Sequence, residues 1–127
     1  MEGKFLNAKW WLLCLVLLVT AGIPVVSGAA DLDQTAKEID HLLVYISQST
    51  CQFIRNDKSY DAAEARAHIQ KKYDYIQSRI KTTEDFIRYA ASQSSMSGKP
   101  YRIRCGDETM LCADWLHEEL ERYRQQR

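Results

Sequence analysis

Tyr101-Arg102-Ile103-Arg104-Cys105 alternates apolar and cationic side chains with a period of two. That is the pattern of a half-buried strand, with Tyr101, Ile103 and Cys105 on the face turned to the core. Cys51-Gln52-Phe53-Ile54-Arg55 is the other short β-prone run, closed by the turn residues Asn56-Asp57-Lys58. The residues between the two runs are helical in pattern, so no tight hairpin joins them and they must pair through the tertiary fold. If they run antiparallel, Cys51 and Cys105 stand at facing ends.

Four segments carry helical periodicity. Thr35-Ala36-Lys37-Glu38 has the form of a capping box, and Ile39, Leu42, Leu43 and Ile46 follow at helical spacing until the stripe gives way to hydroxyl residues at 47–50. Asp61 and Glu64 form a second such box, opening a helix from about Ala62 to Ile80 with Ala65, Ile69, Tyr73 and Ile76 on one face. Thr82 or Thr83, followed by Glu84 and Asp85, caps a third helix that turns Phe86, Ile87 and Ala90 inward and stops by Ala91. Ser92 to Pro100 has no periodicity and ends in Gly and Pro, the marks of a loop. Gly106 to Met110 is a turn, and Trp115, Leu116, Leu120 and Tyr123 make the stripe of a last helix. The expected fold is α+β and mostly helical: four helices with a small two-stranded antiparallel sheet.

The chain has 127 residues, 17 basic and 17 acidic side chains and an apolar share of 46%. Much of that share sits at the start. Lys4 and Lys9 precede Trp10 to Val26, a run without charge, and Ser27-Gly28-Ala29 supplies the small residues a signal peptidase accepts, with Gly28-Ala29-Ala30 a second candidate. Residues 1–29 are therefore expected to be a cleaved signal peptide, and residues 30–127 one small globular domain with no stable membrane insertion. Removing Glu2, Lys4 and Lys9 with the leader leaves a net charge of −1, which gives no general pull toward nucleic acid. The remaining length suits one core and is too short for a dinucleotide fold with its cleft.

Export changes the reading of Cys51, Cys105 and Cys112. In an oxidising compartment two of the three should pair, and their spacing contains no C-x-x-C metal motif. A Cys51–Cys105 bridge would contribute about 4 kcal/mol in the chain-entropy picture. Cys112 is then a buried small apolar residue, a rival partner for Cys51, or a free thiol.

Phe53-Ile54-Arg55-Asn56, Glu64-Ala65 with His68, Arg79-Ile80 followed by Thr83-Glu84 and Phe86-Ile87, and Ser94-Ser95-Met96-Ser97-Gly98-Lys99-Pro100-Tyr101 resemble the YfeK-like family of small exported bacterial proteins. The resemblance runs from about Ile39 to Tyr123. It implies export, here to the periplasm, and a shared fold, and supplies no mechanism. Family members commonly show Asn-Gly where this chain has Asn56-Asp57, so an Asp stands where Gly would take a positive φ at less cost.

Several residues invite a chemical reading. Ser94, Ser95, Ser97, Gly98 and Lys99 combine hydroxyls, a flexible backbone and an ammonium that could cradle an anion, but Pro100 after Lys99 forbids the helix a P-loop requires. His117-Glu118-Glu119-Leu120-Glu121 lacks the second imidazole of H-E-x-x-H and, with Arg122, Arg124 and Arg127, reads as a solvated helix face. His68, beside Ile69, reads as a neutral imidazole with a hydrogen-bond partner. Arg55, Arg102 and Arg104 are the basic residues expected to share one surface, since both strands present alternating side chains. No catalytic, cofactor or metal residue emerges. The function expected is that of a non-catalytic binding or interaction module using Arg55, Asn56, Ser95, Gly98, Lys99 and Pro100, for a small anionic ligand or an envelope protein. The alternatives are a small envelope hydrolase built on Ser94, Ser95 or Ser97 with Lys99 or His68, and a structural envelope protein acting by contact.

Overall fold

A computed structural model describes Gly22 and residues 28–127. The leader expected over residues 1–29 lies outside the described residues except for Gly22, Gly28 and Ala29. The elements are α1 (Gly28–Ser47), β1 (Gln52–Arg55), β2 (Lys58–Tyr60), α2 (Ala62–Ile76) with a 3-10 turn at Gln77–Arg79, α3 (Thr83–Ala90), β3 (Arg102–Cys105), β4 (Glu108–Leu111) and α4 (Cys112–Gln125). Among the described residues the architecture is α+β with four α-helices, and the sheet has four antiparallel strands in the order β2-β1-β3-β4.

The expectation of two strands is corrected here. Both expected strands exist and pair centrally, but each also folds back on a neighbour. Asn56 (φ 49°) and Asp57 (φ 65°) are both left-handed, the requirement of a type I′ hairpin turn, and they return the chain into β2. Gly106 (φ 63°) with Asp107 turns β3 into β4, where a turn alone was expected. The edge strands are exposed except at Tyr60 and Met110, so they carry no alternating apolar stripe and leave no hydropathy signature.

Register fixes the two faces of the sheet. Phe53 pairs with Ile103 and both are buried against the helices, while Gln52 pairs with Arg104 and Ile54 with Arg102 on the opposite face. Arg55 lies two residues beyond Phe53 and so shares the helix-facing side. It does not join Arg102 and Arg104, and the expected three-arginine surface is corrected: the register separates them. One residue pair beyond Gln52 and Arg104, Cys51 and Cys105 meet and are joined by a disulfide, as the antiparallel pairing requires.

The helices cover the inner face. Ile39, Leu42, Leu43 and Ile46 of α1 are buried with Phe86 and Ile87 of α3 and Leu116 and Leu120 of α4. Trp115 meets Phe53 edge-on, with ring centroids 5.7 Å apart, and stacks on Tyr45 at 4.4 Å. The Asp61–Glu64 capping box forms as read, and Thr82 rather than Thr83 caps α3, with Asp85 closing the box.

Two polar readings are corrected by the packing. Helix α1 begins at Gly28, not after Thr35, so Thr35-Ala36-Lys37-Glu38 is helix interior. Glu38, only 3% exposed, accepts hydrogen bonds from Thr83 Oγ1 (2.6 Å), Arg124 Nε and Nη2 (3.0 and 2.8 Å), Arg127 Nη2 (2.9 Å) and Gln34 Nε2 (3.2 Å). The last helix is likewise not a solvated face throughout. Glu119 is buried, 2.6 Å from His41 Nε2 and 2.9 Å from Arg122, and His41 stacks on Tyr123. Charge along α4 alone does not say which of its carboxylates meets a partner from another element, as Glu119 meets His41.

Candidate functional site

The side chains of β1 that point toward α2 leave a cleft of about 130 Å³ between the first hairpin and that helix. Phe53, Ala65, Ile69 and Cys112 give it an apolar floor, and Arg55, Tyr60, Glu64, His68 and Tyr101 stand around its rim. The sequence places these groups by simple rules. Arg55 follows Phe53 on the inward face of β1, Ala65, His68 and Ile69 form one side of α2, and Tyr101 leads Ile103 into β3.

At the rim the groups form one hydrogen-bonded cluster. Arg55 Nη2 donates to Tyr60 Oη at 3.1 Å, and its guanidinium carbon lies 4.9 Å from the Tyr60 ring centre. Arg55 Nη1 is 3.4 Å from His68 Nδ1 and 3.5 Å from Nε2, and His68 Nε2 is 2.9 Å from Tyr101 Oη. Burial and the positive charges of Arg55, Lys72 and Lys71 hold His68 below its ordinary pKa, so it is a neutral partner rather than a second cation. Burial raises the Tyr101 phenol above its ordinary range, which keeps its proton in place. Lys72 lies over the Tyr101 ring at 5.3 Å and donates to the Gln93 carbonyl at 2.6 Å.

Arg55 is thus half-buried, and among the described residues no carboxylate pairs with it. Glu64, the acid on the rim, accepts the Asp61 backbone N–H at 3.0 Å as part of the α2 cap. Cys112 is a free thiol, fully buried, and desolvation pushes its pKa up to about 12, so it contributes an apolar wall and no thiolate.

The surface read from the sequence is divided by the sheet. Arg55 belongs to the cleft. Asn56 bridges to the loop, donating to Ser94 Oγ at 3.4 Å and accepting from Ser97 Oγ, and Gly98 (φ 71°) donates its N–H to the Ser94 carbonyl at 2.9 Å. Ser95 lies in a shallow hollow continuous with the rim, beside Arg55, Tyr75 and Met96. Lys99 and Pro100 lie instead in a hollow on the outer sheet face with Arg102, and Lys99 Nζ is 2.6 Å from Asp57. The groups that would activate a loop serine are engaged elsewhere, Lys99 with Asp57 and His68 with Tyr101. Tyr60, Tyr101 and Cys112 escaped notice as site residues because their convergence is tertiary. The signal that was available is the inward parity of Arg55 with Phe53, a cation where the pattern asks for an apolar residue.

Comparison with known proteins agrees with the resemblance noted in the sequence. A family of unknown function (DUF5329) matches residues 33–124. The chain belongs to that family. The uncharacterized protein YfeK of Salmonella typhimurium (strain LT2) is 43% identical over 49 residues, which is 39% of this chain and 41% of that protein. The alignment therefore spans less than half the length of this YfeK-like relative. No solved structure matches the chain.

Proposed function

We propose that the protein is a non-catalytic binding module of the bacterial periplasm, and that the cleft under Arg55 is where it takes a small anionic ligand. The observation that carries this reading is Arg55 itself. A half-buried guanidinium without an acidic partner keeps unused donors at the mouth of an apolar-floored cleft, the combination that fixes an anionic group beside a desolvated body. Export is supported by the charge-free run after Lys9 and by the Cys51–Cys105 disulfide, which persists in an oxidising compartment. Among the described residues no helix is long and apolar enough to cross a membrane.

Thermal shift against a panel of small anions tests the ligand reading. A binder present at about a hundred times its Kd should raise stability by about 3 kcal/mol, and Arg55→Gln should remove the effect. No shift with any anion at millimolar concentration would overturn it. Mass spectrometry of the chain from its native compartment tests export: loss of residues 1–29 is expected, and an intact leader with Cys51, Cys105 and Cys112 all reduced counts against it.

One observation favours a second reading, contact with an envelope protein. Tyr75 and Met96 are 90% and 97% exposed and line the same hollow as Ser95 and Lys72. Crosslinking in the native compartment should then yield an adduct that the Tyr75→Ser, Met96→Ser double variant loses.

A further inference from the structure

The shape of the cleft says more about its occupant than the charge at its rim. A cavity of about 150 Å³ lined by aliphatic and aromatic side chains holds one benzene ring, and the cleft here offers about 130 Å³ over Phe53, Ala65, Ile69 and Cys112. Bare phosphate or sulfate would leave that floor unused, and a long acyl chain would not fit. At the rim, Arg55 Nη1 lies 3.4 Å from His68 Nδ1 and 3.5 Å from Nε2, beside the imidazole and nearly equidistant from its two nitrogens. In the His68 tautomer protonated at Nε2, the imidazole donates to Tyr101 Oη at 2.9 Å. The Tyr101 hydroxyl proton is then free to point toward the cleft. Arg55 therefore presents a charged donor to the mouth and, in that tautomer, Tyr101 a neutral one, an arrangement suited to the two oxygens of a carboxylate.

We propose that the cleft takes a monocarboxylic acid whose body is a single ring or a short branched chain, with the carboxylate on Arg55 and Tyr101 and the body over Phe53 and Ile69. This rests on the reading of the cleft as an anion site and narrows it to one class of ligand. The body sits where the apolar floor is, and the carboxylate supplies the negative charge that Arg55 lacks. Glu64 on the rim opposes a second negative group on the ligand, which selects against dicarboxylates.

Titration followed by amide and methyl NMR tests it, using benzoate and 3-methylbutanoate against acetate, inorganic phosphate and benzyl alcohol. The expected result is that benzoate and 3-methylbutanoate perturb Ile69, Tyr101 and Ala65 and bind about tenfold or more tightly than acetate, phosphate or benzyl alcohol. Arg55→Gln should weaken benzoate about tenfold or more and leave benzyl alcohol unchanged. Ala65→Leu, which narrows the floor on a well-formed helix, should weaken benzoate and not acetate, so the proposal stands on two variants. If phosphate or acetate binds as tightly as benzoate with the same dependence on Arg55, the carboxylic acid proposal fails while the anion site survives. If no probe perturbs the cleft, both fail.

Discussion

Glu38 shows how much a single carboxylate can be asked to join. It sits in the middle of α1, accepts five hydrogen bonds from α3, α4, the C-terminal residue and its own helix, and is held at about 2 against an ordinary 4.5 by the Arg124 guanidinium. A depressed carboxylate contributes stability that is complete above its unfolded pKa and is lost as pH falls through its folded one. The acid limb of the stability profile should therefore lie between about pH 4.5 and 2. Glu38→Gln leaves Arg124 and Arg127 without their buried carboxylate and with one acceptor oxygen fewer, and should cost about 3 kcal/mol by urea unfolding at neutral pH. The same variant should flatten the acid limb. None of this was legible along the chain, where Thr35 and Glu38 have the spacing of a cap. Local pattern identifies a carboxylate that can turn back on its own helix end, and only packing shows that this one turns inward to Arg124 and Arg127. Arg55 was named as a site residue, but its companions His68 and Tyr101 come from different elements, and the cluster exists only once β1, α2 and β3 are assembled.

The elements that the sequence disclosed are those with an apolar period or a cap for a marker. α2 and α3 start where Asp61 and Thr82 place their side chains on the backbone N–H of Glu64 and Asp85. The two edge strands have neither an apolar stripe nor a marker, being exposed apart from Tyr60 and Met110. Their existence depends on two-residue turns, and the first of these contains Asp57 with φ 65°. Its left-handed backbone is disfavoured for a residue with a Cβ, and Lys99 Nζ at 2.6 Å partners its carboxylate across the turn. Asp57→Gly should relax the turn and raise the thermal midpoint by a few degrees, with the gain largest at high salt, where the exposed ion pair is screened. A lower midpoint at every salt concentration would show that the Lys99 contact outweighs the backbone strain.

Across the whole molecule, one covalent link joins the two hairpins. Cys51 and Cys105 are 54 residues apart in the chain and adjacent in the central pair of strands. Their replacement by Ala should lower unfolding free energy by about 4 kcal/mol, measured by urea denaturation against the oxidised protein. Cys112 stands only seven positions beyond Cys105, and its burial at the start of α4 has a consequence for how the chain matures. In a fully reduced, unstructured chain the short loop between Cys105 and Cys112 closes more readily than the long one to Cys51. Early oxidation should therefore favour the Cys105–Cys112 couple, and burial of Cys112 at the start of α4 should leave Cys51 and Cys105 to pair. Cys112→Ser should shorten the lag before native disulfide appears on air oxidation, detected by alkylation and peptide mapping. The fold acts as proofreader of its own crosslink.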